Sequence, residues 1–120
     1  MIRPVSQSEN DESVRVLVVD DQELFRRGLT MLLSVEEGID VVGEAGDGIE
    51  GTELAASAAP DVVLLDITMP ELSGIDAIPQ IRKQSRSTKI VMLSHHEGQT
   101  FVDESIKAGA EGSLSTASDP

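Results

Sequence analysis

Five short apolar runs alternate along the chain with segments of helical period. Val14 to Val19 reads VRVLVV and stops at Asp20-Asp21. A run this continuous is how a strand buried on both faces is written. Leu24, Gly28, Met31, Leu32 and Val35 then recur at helical spacing, which predicts an inward face, with Arg26, Arg27 and Thr30 outside and Gly38 as a stop. Ile39 to Val42 is a second apolar run, Asp47-Gly48 starts a second helix, and the Ala-rich stretch from Ile49 to Ala59 ends at Pro60.

Asp61 to Ile67 (DVVLLDI) predicts a third strand, broken at Met69-Pro70. Ile75, Ile78 and Ile81 mark a third helix. Pro79 falls inside it and is expected to kink it, at about 3 kcal/mol for a true interior position. Lys89 to Leu93 (KIVML) is a fourth strand ending at Ser94. Glu97 to Ala108 predicts a fourth helix closed by Gly109, and Ala110 to Leu114 a weak fifth strand. Residues 1–13 are polar, carry no period and read as a disordered tail.

Strands alternating with helices predict an α/β fold with a parallel sheet covered by helices on both faces. In such sheets the site lies at the carboxyl ends of the strands. Asp20-Asp21, Asp66 and Ser94 each end or directly follow an apolar run, so the topology brings them to one rim. Taken singly, each has a plainer role. Asp20-Asp21 suits a helix N-cap, Asp66 a turn, and Ser94 the cap of the helix near Glu97. Their convergence favours a site.

Composition narrows what that site can serve. The 120 residues make one ordinary domain, and 22 acidic against 9 basic residues give a net charge of -13. Nucleic acid and anionic lipid need clustered Lys and Arg, so direct binding of either is disfavoured. Phe25 and Phe101 are the only aromatic residues, which leaves no stacking platform and suggests two packing side chains. The absence of cysteine excludes disulfides and thiolate chemistry. The tail has no apolar core of a signal peptide and no run is long enough for a membrane span; a cytoplasmic home fits.

Three carboxylates at one rim repel each other unless a cation neutralises them. Mg²⁺ suits such a set, since it takes oxygen ligands, keeps waters and bridges carboxylates to phosphoryl groups. Phosphoryl transfer asks a protein mainly for positioning and charge neutralisation. Other motifs carry less. His95-His96 lacks a third ligand at zinc spacing and reads as a solvated pair. Gly43, Gly46 and Gly48 lack the Lys-Ser/Thr of a P-loop and read as turn chemistry, and Arg26-Arg27 as a solvated helix face.

The segments VLVVDDQELFRRGL, VVGEAGDGIEG, PDVVLLDITMPELSGI, KIVMLS and SIKAGAEG resemble the response-regulator receiver family of two-component signalling. The similarity is greatest to the subfamily with a LuxR-type helix-turn-helix output, and it covers about residues 14–116, with 117–120 as a tail or the start of a fifth helix. The resemblance implies a flavodoxin-like, doubly wound five-stranded sheet of order 2-1-3-4-5. It implies phosphoryl transfer from a histidine kinase to Asp66, in a domain that is a phosphoacceptor and not itself an enzyme. Asp21, Asp66 and the backbone carbonyl of Thr68 would bind Mg²⁺, Asp20 would act through water, and Ser94 would be the switch hydroxyl. By the same resemblance the first helix is where the kinase docks, and His96 lies near a position that tunes dephosphorylation.

Three features depart from the family pattern. Ser113 stands where the family has an aromatic and Thr116 where it has a Lys. A lost ammonium removes a charge-assisted contact worth about 1.5–3 kcal/mol. The family has a fifth helix after the fifth strand and this sequence stops at Pro120, so open apolar surface is expected beside the first helix, pointing to a truncated chain, a domain-swapped or dimeric assembly, or a diverged tail. A rival reading is a pseudo-receiver, an interaction module that does not switch by phosphate. A weaker rival, an aspartyl-phosphate phosphatase, needs a second Asp at the position held by Thr68.

Overall fold

Strand β1 (Val14–Val19) is the centre from which the architecture grows. The structure is a computed structural model and describes residues 13–66, 74–94 and 112–115. Along them run β1, α1 (Glu23–Ser34), β2 (Ile39–Ala45), α2 (Gly48–Ala58), β3 (Val62–Asp66), α3 (Gly74–Gln84), β4 (Lys89–Ser94) and β5 (Gly112–Ser115). The five strands form one parallel sheet in the order β2-β1-β3-β4-β5. The expected α/β class and strand order therefore hold. The predicted tail before Ser13, the Glu97–Ala108 helix, Phe101 and the stretch from Thr116 onward lie outside the described residues.

Alternation along the strands divides the sheet into two faces. Leu17, Val19, Val63, Leu65, Ile90 and Met92 turn one way and are fully buried with Ala55 of α2 and Ala77, Ile78 and Ile81 of α3. Strand β1 is apolar on the other face as well, where Val16 and Val18 are buried. This is why β1 reads as a continuous run. Gly43 would place a Cβ 3.3 Å from Leu17 and 3.8 Å from Leu54 of α2. Its neighbour Glu44 then faces the opposite side, where it meets Arg26 of α1. So α1 covers one face, and α2 and α3 the other.

Local chemistry accounts for the helix ends. The Asp47 carboxylate accepts from the Glu50 amide at 2.8 Å, and Glu50 accepts from the Gly46 amide at 3.0 Å, which together cap α2. At its other end Ala59 is left-handed, and the Arg15 guanidinium donates to the carbonyls of Ala58 and Ala59. The Thr88 hydroxyl donates to the Pro60 carbonyl at 2.7 Å, so it accepts from Ser85. That chain ties the end of α2 to the start of β4. Pro79 lies inside α3 as expected, on an exposed position.

The α2 helix rides close on the sheet because Gly51 has no side chain. A Cβ there would lie 3.0 Å from both γ-carbons of Val19. Replacing Gly51 with Val is expected to cost about 1–3 kcal/mol by overpacking, read as a lower urea midpoint.

Three expectations are corrected. First, α1 buries no residue completely, and Leu24, Met31, Leu32 and Val35 face solvent. The sheet takes the side carrying Phe25, Arg26, Leu29, Thr30 and Leu33 instead, all of them partly buried. Both sides of α1 carry apolar residues, so period alone does not choose between them. Second, Arg26 is not on a solvated face: its side chain is 14% exposed and ion-paired, whereas Arg27 is 63% exposed. Third, Gly43 is a strand residue. Strand β2 runs on to Ala45, with an irregularity opposite Val16 and Leu17. Among the described residues, an open apolar groove runs along the outer side of α1, lined by Phe25, Gly28, Leu29, Met31, Leu32 and Val35.

Candidate metal and phosphoacceptor site

The site follows from where two neighbouring strands stop. β1 and β3 are parallel partners, with Val19 opposite Leu65. The next residues along each, Asp20 and Asp66, therefore leave the sheet side by side. Asp20 is fully buried, Asp66 is 2% exposed, and Asp21 is exposed. One carboxylate oxygen from each lies within 4.8 Å of the others. Asp66 pairs with Leu93 in β4, so Ser94 stands one residue further along the same rim, in register with Ser115 of β5.

Three of the residues singled out in the sequence thus converge, and the backbone of Ser94 lies at the same edge. Thr68 and Thr116 lie outside the described residues, as do His95 and His96. Ser113 falls within β5 opposite Met92.

Backbone contacts hold the acidic pair. The Asp20 amide donates to the Ala45 carbonyl at 3.0 Å. The Asp20 carboxylate accepts from the Gln22 amide at 2.8 Å, so it also tightens the entry to α1. Gln22 is the N-cap residue, and its own side chain makes no capping bond. The N-cap reading of Asp20-Asp21 is therefore corrected: Gln22 holds the cap position, and the Asp20 oxygen serves the turn ahead of α1 while the residue remains part of the acidic cluster.

Arg26 and Glu44 are the contributors that sequence reasoning missed. The Arg26 Nε donates to Glu44 at 3.0 Å, and its NH1 donates to the Asp20 carbonyl at 2.7 Å. The available signal was the helical spacing of Arg26 with Phe25, Leu29 and Leu33, which puts a cation on the inward side.

As a donor set the pocket offers carboxylate oxygens without sulfur or imidazole among the described residues. That suits a hard dication such as Mg²⁺. Two of the three carboxylates are buried at the rim, which raises the cost of leaving their charges uncompensated.

Comparison with known proteins agrees with this geometry. The family described as the response regulator receiver domain matches residues 16–120. The chain belongs to that family. This receiver is 39% identical over 105 residues to the nitrate/nitrite response regulator NarL of Escherichia coli, covering 88% of this chain and 49% of that protein. It is 41% identical over 105 residues to the uncharacterized transcriptional regulatory protein YxjL of Bacillus subtilis, covering 88% of this chain and 48% of that one. The receiver thus spans about half the length of the curated relatives it matches. Among solved structures it superimposes on the receiver domain of the response regulator NarL from Mycobacterium tuberculosis with a TM-score of 0.83 and 38% identity, over 90% of this chain and 87% of that one. Among the described residues of this receiver no helix is long and apolar enough to cross a membrane.

Proposed function

We propose that Asp66 is the phosphoacceptor of this receiver and that its phosphorylation switches a transcriptional output. The donor is the phosphohistidine of a histidine kinase or a small phosphodonor. The observation that carries the reading is the meeting of the Asp20, Asp21 and Asp66 carboxylates within 4.8 Å at the ends of β1 and β3. The name of the relative YxjL, an uncharacterized transcriptional regulatory protein, supports the transcriptional part.

In this reading a carboxylate oxygen of Asp66 attacks phosphorus in line. The bond from phosphorus to the imidazole nitrogen breaks, the ring keeps the electron pair, and its protonation balances once solvent supplies a proton. Asp21, Asp66 and the carbonyl of Thr68 would hold Mg²⁺, with Asp20 acting through water. The ion, when bound, offsets negative charge on the carboxylates and phosphoryl oxygens. Asp20 is held in place by the Gln22 amide. Ser94, at the end of the strand beside β3, is the hydroxyl that answers the new phosphoryl group and biases the segment after β4.

A second reading, the pseudo-receiver, has Ser113 and Thr116 in its favour, because an aromatic and a cation are absent there. One experiment separates the two. The protein is incubated with acetyl phosphate, which transfers phosphoryl and releases acetate, and its intact mass is measured. The switch predicts one added phosphoryl group with Mg²⁺, none with chelator, and release by hydroxylamine, as expected of an acyl phosphate. No adduct under any condition would leave the pseudo-receiver standing.

A further inference from the structure

Arg26 makes an unusual set of contacts for a residue in the opening turns of a helix. On a helix that buries no residue completely, its side chain is only 14% exposed. It joins three chain segments. Its own position is in α1, its Nε is anchored by Glu44 of β2 at 3.0 Å, and its NH1 donates to the Asp20 carbonyl at 2.7 Å. A Cβ on Gly46, in the turn after β2, would come 3.4 Å from NH1, so that turn also borders the guanidinium.

The accepting carbonyl belongs to the peptide that links Asp20 to Asp21. Fixing that peptide plane constrains ψ of Asp20 and φ of Asp21, and so the directions in which both side chains leave the backbone. The Gln22 amide fixes the Asp20 carboxylate from the other side. Glu44 holds the guanidinium by a charge-assisted bond and so keeps the planar fork aimed at the carbonyl.

We infer that Arg26 is a positioning residue for the acidic pocket, setting its affinity for a divalent cation by holding the Asp20–Asp21 peptide from an anchor on Glu44. This rests on the cation-binding reading of the pocket. The sign of the effect makes it testable. Coulomb's law alone says that removing a positive charge beside three carboxylates tightens cation binding. Loss of positioning says that it weakens.

Mn²⁺ is titrated into the full chain by calorimetry, with the Gln22 amide resonance of the metal-free protein and the thermal midpoint measured in parallel. Arg26→Ala is expected to weaken Mn²⁺ binding about 10-fold, as loss of an outer-shell partner does, and to shift the Gln22 resonance. Arg26→Lys keeps the charge but loses the fork, and is expected to weaken binding less; it carries the test if Arg26→Ala does not fold. Arg27→Ala, at an exposed position paired with Glu23 at 3.5 Å, is expected to leave Mn²⁺ affinity unchanged. Unchanged or tighter binding in the folded Arg26 variants, with only a lower midpoint, would overturn the inference and reduce Arg26 to a role in folding. Equal weakening by Arg27→Ala would overturn it too. Wild-type protein that takes up no Mn²⁺ overturns the cation reading and this inference with it.

Discussion

Asp66→Asn is expected to abolish the phosphoryl adduct formed with acetyl phosphate and Mg²⁺ while leaving the protein folded. The amide keeps the shape of the side chain, and so the packing of a residue that is 2% exposed at the end of β3. It removes the anionic oxygen proposed to attack phosphorus. No near neighbour is expected to substitute. The Asp20 carboxylate is occupied with the Gln22 amide at 2.8 Å, and Asp21 is exposed beside it. Intact-mass measurement gives the answer directly. An adduct of undiminished yield in Asp66→Asn would move the acceptor elsewhere and sink the assignment.

Asp21→Asn is expected to change the response to cations and the stability in opposite directions. It removes a proposed direct ligand, so Mg²⁺ affinity is expected to fall at least as far as the roughly 10- to 100-fold typical of losing an outer-shell partner. It also relieves repulsion among carboxylates within 4.8 Å of one another. Because Asp21 is exposed, solvent screens that repulsion, and the gain without cation is expected near the lower Coulomb bound, about 1 kcal/mol. On this reading wild-type protein is expected to gain stability with Mg²⁺, because the folded state alone presents the assembled pocket. In chelator the variant is therefore the more stable protein, and with saturating Mg²⁺ its advantage shrinks or reverses. The chain lacks Trp and Tyr, so circular dichroism or calorimetry reads the midpoints. A variant that is less stable in chelator and still responds fully to Mg²⁺ would contradict the arrangement.

Much of the site was legible because chain chemistry changes abruptly where the strands end. VRVLVV stops at two Asp residues, and in DVVLLDI Asp66 follows four apolar residues. Parallel neighbouring strands turn those positions into neighbours in space, which spacing in the sequence does not reveal. The family resemblance supplied the strand order, and the observed order agrees with it.

The first helix shows where this reasoning stops. Its two sides are both rich in Leu, Met, Phe or Val, so a helical period fits either face. The presence of Arg26 argued for solvent. The fold places it inward because Glu44 and the Asp20 carbonyl supply partners there. With two of its three nitrogens hydrogen-bonded, part of the cost of withdrawing the guanidinium from water is offset. Gly43 was misread for a related reason. A glycine near two others resembles a turn, but its missing side chain instead lets Leu17 and Leu54 approach β2.

By itself the sequence determined the alternation of strands and helices and the carboxylates at the strand ends. Those features are local, set by side-chain polarity and by periods of two and 3.6 residues. Only the tertiary structure decided which side of α1 meets the sheet and which distant groups hold the acidic pair. Those outcomes depend on partners contributed by a neighbouring strand, and no local period encodes where such a partner will stand.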